Sequence, residues 1–156
     1  MSELVYYQAT RSDIPDLITG RIAFLIEFGG AQPDDAIQQL TEALTAYFTD
    51  HLHNGSGLWW IAKCDGDLAG IGGILIRQHP GSFNNLSGLR GYVFNMYTAP
   101  GFRRKGVCTQ LLNRLIAAAG AQGITAFELH ATREGELVYQ KNGFLKYDEP
   151  TYRKGF

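Results

Sequence analysis

Cys108, Leu111, Leu112, Leu115, Ile116 and Ala119 recur at steps of three and four residues. That spacing lines apolar side chains along one face of a helix. The helix is bracketed by two stretches rich in β-branched and aromatic residues, LRGYVFNMYT (89–98) and ITAFELHAT (124–132). Strand, amphipathic helix and strand in this order read as a β-α-β crossover, and that unit constrains the fold more than any other part of the chain. Gly120 and Gly123 mark where the helix stops.

The first half reads differently. LVYYQAT (4–10) is a first strand, and Ser12 with Pro15 marks a helix start. Ile18, Ile22, Leu25 and Ile26 continue that helix to Gly29 and Gly30. Pro33 opens a second, with Ile37, Leu40, Leu44, Tyr47 and Phe48 on its stripe. LWWIAKC (58–64) and LAGIGGILIRQ (68–78) flank Asp65-Gly66, a two-residue hairpin signal. A polar loop follows, HPGSFNNLSG (79–88). After the crossover, residues 133–141 form a short helix closed by Asn142-Gly143, and 144–147 and 152–154 are expected as two last strands. The expectation is therefore an α/β chain in the order β-α-α-β-β-β-α-β-α-β-β, one domain over residues 1–156.

Bulk properties narrow the function. A chain of 156 residues buries roughly 70% of its unfolded surface without disulfides or metal. Net charge is −1, which gives no reason to expect a nucleic-acid partner. No window reaches the ~18 apolar residues of a membrane span, and MSELVYYQAT lacks the basic-then-apolar order of a signal peptide, so the cytoplasm is the expected compartment. Cys64 and Cys108 form no C-x-x-C pair. His51-x-His53 has no nearby third ligand, and no metal site is expected. Gly55-Ser56-Gly57 precedes a strand rather than joining strand to helix, so it is not a nucleophile elbow.

The turn into the main helix, GFRRKGVCTQ (101–110), carries the chemistry. Gly101 and Gly106 have the spacing of a nucleotide-binding loop, but Val107 and Cys108 stand where the lysine and the metal-binding hydroxyl would be. The amides that open a helix have no partner within it, and the peptide dipoles add roughly half a positive charge there. Gly106 lets a phosphate approach the backbone, and Arg103, Arg104 and Lys105 add positive charge. The combination fits a pyrophosphate that is held but not cleaved. The competing reading is a solvated basic loop capping an ordinary helix.

YTAPGFRRKGVCTQLL resembles the motif R-x-x-G-x-G/A of the GCN5-related N-acetyltransferases, and LVYQKNGF (137–144) resembles that family's second signature, L-Y-x-K-x-G-F. The resemblance implies a splayed mixed sheet and acetyl-CoA as cosubstrate, with no metal. It implies that the backbones of Arg104, Gly106, Cys108 and Thr109 bind the pyrophosphate and that Arg103 opens the turn. Lys105, Val107 and Lys141 complete the two motifs. Met96, Tyr97 and Thr98 would pair with the pantetheine arm, and a backbone amide near Met96 or Tyr97 would face the developing oxyanion. Cys108 departs from the usual Gly or Ala and is read as a packing substitution. Thr132 stands seven residues before Tyr139, where many members carry Asn.

The implied reaction is direct acetyl transfer to an amine, with a small-molecule or peptide acceptor. It needs a neutral amine, a donor to the oxyanion and a proton for the departing thiolate. Tyr139 matches the family's general acid. Glu27, His130 and Asn95 are the candidates for proton removal or for aiming a water. The first two helices and the loop 79–88 are expected to wall the acceptor site. One of Trp59 and Trp60 is expected in the core, the other at the acceptor pocket or an interface. The C-terminal strands are the candidate edge for a homodimer. A catalytically silent CoA-binding module on the same fold is the alternative.

Overall fold

The computed structural model describes residues 2–156. The elements are β1 (Leu4–Gln8), α1 (Ile14–Gly29), α2 (Asp34–Asn54), β2 (Gly57–Cys64), β3 (Asp67–Gln78), β4 (Leu89–Thr98), α3 (Val107–Ala121), β5 (Phe127–Leu129) and α4 (Glu136–Lys141). The five strands form one sheet in chain order. The first four are antiparallel, and β5 runs parallel to β4 after the α3 crossover. Asp65 and Gly66 both take positive φ in the two-residue turn from β2 to β3, the geometry that lets a tight hairpin follow the twist of its strands. At the entry to α1 the cap differs from the Ser12 expectation. The Thr10 amide donates to Asp13 Oδ2 at 2.8 Å, and one short helical turn (Arg11–Asp13) precedes α1.

Side chains from the two faces of the sheet build separate cores. On one, Leu17 and Ile18 of α1 and Phe48 of α2 pack on Trp59, Ile61 and Ile71. On the other, α3 lays Leu112, Leu115 and Ala119 on Leu58, Ile74 and Val93, and Val107 and Leu111 on Ala62 and Ala69. The glycines of β3 make both contacts close. A methyl group at Gly70 would lie 2.8 Å from the Tyr97 carbonyl and 3.0 Å from Val107, and one at Gly73 would lie 2.5 Å from the Trp59 ring nitrogen. Trp59 is therefore the core tryptophan, wholly buried, while Trp60 packs on the α3 side.

Two irregularities shape β4. Ile71 pairs with Tyr97 but Gly73 pairs with Phe94, so β4 carries one extra residue between these points. Asn95 sits in that bulge with φ +58°. Along its other edge, β4 pairs with β5 only from Gly91 to Val93, so residues 94–98 extend past the last β5 partner. Strand β5 is accordingly shorter than the nine residues its composition suggests.

The two expected last strands do not form. Residues 144–156 contain no strand, and Leu145, Tyr147, Tyr152 and Phe156 are at least 82% exposed. Their aromatic content favours a strand only where a sheet edge and an apolar face receive them, and beyond Phe144 this segment meets neither.

Candidate functional site

The bulge, the strand ends and the start of α3 converge. After β4, Pro100–Phe102 makes a helical turn, and the chain then swings through Arg104 at φ +61° and Gly106 at φ +77° into α3. A left-handed arginine is an uncommon conformation that costs of order 1–3 kcal/mol and persists only where its surroundings enforce it. Left-handed residues in a turn are a backbone pattern from which concave, anion-binding arrangements of amides are built. The first α3 amide to reach a carbonyl is that of Gln110, which bonds Gly106 at 3.0 Å. The amides of Arg104 to Thr109 find no backbone acceptor among the described residues. Apart from its chain neighbours, nothing lies within 4 Å of where a Gly106 Cβ would be.

The three cations of this turn behave differently. Arg103 donates from Nε to the Thr98 carbonyl at 2.9 Å and pairs with Glu27 at 2.7 Å. It braces the turn against β4 and the end of α1. Arg104 is exposed, and Lys105 rests over the Phe102 ring at 5.6 Å. The hydrogen bond from Arg103 holds the Glu27 carboxyl below the usual carboxylate range, which makes it a weaker base than a free one.

Helix α4 brings Tyr139 against the same place. Asn142, at its C-terminal end, donates to the Val138 carbonyl at 2.7 Å and reaches the Thr109 hydroxyl at 3.5 Å, which ties α4 to the first turn of α3. Tyr139 packs on Phe144, ring centres 6.1 Å apart. Burial raises its pKa well above the ordinary phenol range, and the neighbouring Cys108 raises it further. Burial also pushes the Cys108 thiol up to about 11, so desolvation outweighs the helix terminus that would favour its thiolate. The Thr132 hydroxyl accepts from the Gly135 amide at 3.2 Å and shapes the turn into α4. Lys141 is exposed at the end of that helix.

On the α1–α2 face, a cavity of about 280 Å³ is lined by Arg21, Leu44, Tyr47, Phe48, Phe94 and Asn95. Both amide atoms of Asn95 are buried without a hydrogen-bond partner. His130 is exposed, with its ring 5.8 Å from that of Tyr92, which in turn stacks beside Phe94. The loop 79–88, expected in the acceptor wall, contributes nothing to this lining. His51, a metal-ligand candidate by spacing, instead lies tilted against Tyr47, ring centres 4.3 Å apart, and shares a hydrogen bond with Ser56.

Arg21 went unnoticed in the sequence. It falls three residues after Ile18 and four before Leu25, a cation on the stripe that packs inward, and that placement was its signal.

Residues 26–144 match the model of the acetyltransferase (GNAT) family. The chain belongs to that family. A search of curated proteins finds no match. Among solved structures, a predicted acetyltransferase from Clostridium acetobutylicum, determined with acetyl-CoA, is 32% identical; the alignment covers 97% of this chain and 96% of that one, with a TM-score of 0.87. A GCN5-related N-acetyltransferase from Ralstonia eutropha is 22% identical over 99% of this chain and 100% of that one, with a TM-score of 0.84. An aminoglycoside N-acetyltransferase in complex with CoA shares the fold at 20% identity, with a TM-score of 0.76 over 100% and 97% of the two chains. This GNAT protein is an acyl-CoA-dependent acetyltransferase, with acetyl-CoA as cosubstrate and an amine as acceptor.

Proposed function

We propose that residues 1–156 act as one catalytic domain that transfers acetyl directly to an amine, without a covalent enzyme intermediate. The observation that carries this reading is the run of unpaired amides from Arg104 to Thr109 beside a half-buried, protonated Tyr139. The amides at 104, 106, 108 and 109 hold the pyrophosphate, and residues 96–98, past the last β5 partner, receive the pantetheine arm. A backbone amide at Met96 or Tyr97, next to the bulge, donates to the carbonyl oxygen as it gains charge.

The amine nitrogen forms its bond to the carbonyl carbon and the carbon–sulfur bond breaks. Tyr139 gives its proton to the departing sulfur. His130, on the Tyr92 side of the sheet, takes the proton the amine loses, and solvent returns one to Tyr139. Glu27 is assigned a structural part, because Arg103 already holds its carboxylate. Lys105, Val107, Thr132 and Lys141 support the binding turn and α4 rather than the reacting atoms. The acceptor is a small molecule, which suits the size of the cavity beside Asn95, about 280 Å³. The compartment we assign is the cytoplasm; no helix among the described residues is long and apolar enough to cross a membrane.

The test is release of free thiol from acetyl-CoA across a panel of amines, with calorimetry for CoA binding. Tyr139→Phe should lower kcat by ~10²–10⁴-fold and keep CoA affinity. An unchanged kcat would remove the acid role from Tyr139. Saturable CoA binding without turnover of any amine would favour the silent module.

A further inference from the structure

Three features of the cavity between α1, α2 and β4 point to one kind of occupant. First, Arg21 lines it and makes no ion pair or hydrogen bond among the described residues. Burial lowers its pKa from the usual guanidinium range, as expected for a cation stripped of water with no counter-ion at hand. Second, Asn95 is 6% exposed and lines the same cavity with both its amide nitrogen and its amide oxygen unpartnered. An unpaired buried polar group costs ~1–3 kcal/mol, which a protein keeps only where something else supplies the partner. Third, the remaining walls are Leu44, Phe48, Phe94 and the ring of Tyr47, mostly apolar surface that weakens water's competition for a polar guest.

Among the described residues, Arg21 is the one charged residue in the lining of this space. Arg77, at the end of β3, lies over the Tyr92 ring at 4.5 Å, and both Arg21 and Arg77 act on the Tyr47 hydroxyl. Glu128 pairs in register with Tyr92 but bridges to neither arginine. Glu27 is occupied by Arg103.

We propose that this cavity is the acceptor subsite and that it selects small amines carrying a carboxylate, with Arg21 binding the anion and Asn95 orienting the amine end. The proposal rests on the acetyltransferase reading and names its substrate class. An unpaired guanidinium in a half-dry pocket gains most from a carboxylate, which it can grip through two parallel hydrogen bonds. Asn95 offers an acceptor to an amine and a donor to an oxygen, and the bulge places it on the strand whose amides face the thioester.

Matched pairs of amines test this. Each pair is an amino acid and its carboxamide, running upward in length from glycine, with thiol release giving kcat/KM for both. The acid should exceed its amide by at least tenfold for one or more lengths, through KM. Arg21→Gln should collapse that ratio toward one, and Arg21→Lys should restore part of it, with thermal melts confirming that both variants fold. Equal kcat/KM for acids and amides overturns the proposal. So does an Arg21→Gln ratio that stays high, or the absence of both turnover and saturable heat for every amino acid when CoA still binds. Loss of CoA binding by the unaltered protein is a different failure, and it would remove the acetyltransferase reading itself.

Discussion

Single residues here are governed by how much water they lose. Cys108 is the clearest case: a helix N-terminus favours a thiolate, yet burial wins and pushes the thiol up to about 11. At pH 8 about one molecule in a thousand should carry the thiolate, so alkylation of Cys108 by iodoacetamide should lag far behind that of an exposed cysteine peptide. Modification at the free-peptide rate would contradict this. The sign for stability follows: the protonated thiol is favoured in the fold, so its contribution is complete below the ordinary thiol pKa near 9 and is lost as pH rises through 11. Glu27 shifts the opposite way. Its lowered carboxyl pKa adds stability above the usual carboxylate pKa that disappears as pH falls through the folded value. Both partners are about half exposed, so Glu27→Gln should cost under ~1 kcal/mol at pH 7 in chemical denaturation and almost nothing once the carboxyl is protonated. Tyr139 was legible as the candidate acid from its signature. Its depth was not, because burial depends on α3 and Phe144 packing around it.

Among the elements, α3 was the most legible, since Leu111, Leu112, Leu115 and Ala119 fall on one face and all four are fully buried. Its N-terminus depends on two left-handed residues, and only Gly106 adopts that conformation without strain. Gly106→Ala should cost ~1–2 kcal/mol in stability and should weaken CoA binding at least tenfold by calorimetry, because an alanine strains the left-handed turn at φ +77° that presents the amides. Gly101→Ala meets no atom within 4 Å and has an ordinary φ, so it serves as the neutral control. In β3, Gly73→Ala should destabilise by ~1–3 kcal/mol, because the methyl meets the rigid Trp59 ring rather than a side chain that can swing aside. The bulge at Asn95 left only a faint trace in the sequence, one polar residue in an apolar strand. Its position comes from the register with β3, a non-local property.

At the level of the molecule, the last residues separate pattern from placement. Residues 146–156 are exposed throughout, so deleting them should leave the melting temperature within ~2 °C, as for surface changes generally. A larger fall would mean that they pair with something, and sedimentation of the full and shortened chains would tell whether a second copy is the partner. Composition and periodicity alone determined the crossover, the Asp65-Gly66 hairpin, the two early helices and the glycine turn at 101–106, because each rests on residues close together in the chain. Tertiary structure decided where pairing stops. Strand β5 ends at Leu129, residues 144–156 stay out of the sheet, Arg103 turns toward Glu27, and Arg21 and Asn95, 74 positions apart in the chain, line one cavity. Propensity acts over a few neighbours, whereas a sheet edge, an ion pair or a pocket exists only when distant segments are brought together, and so these features lay beyond any local reading.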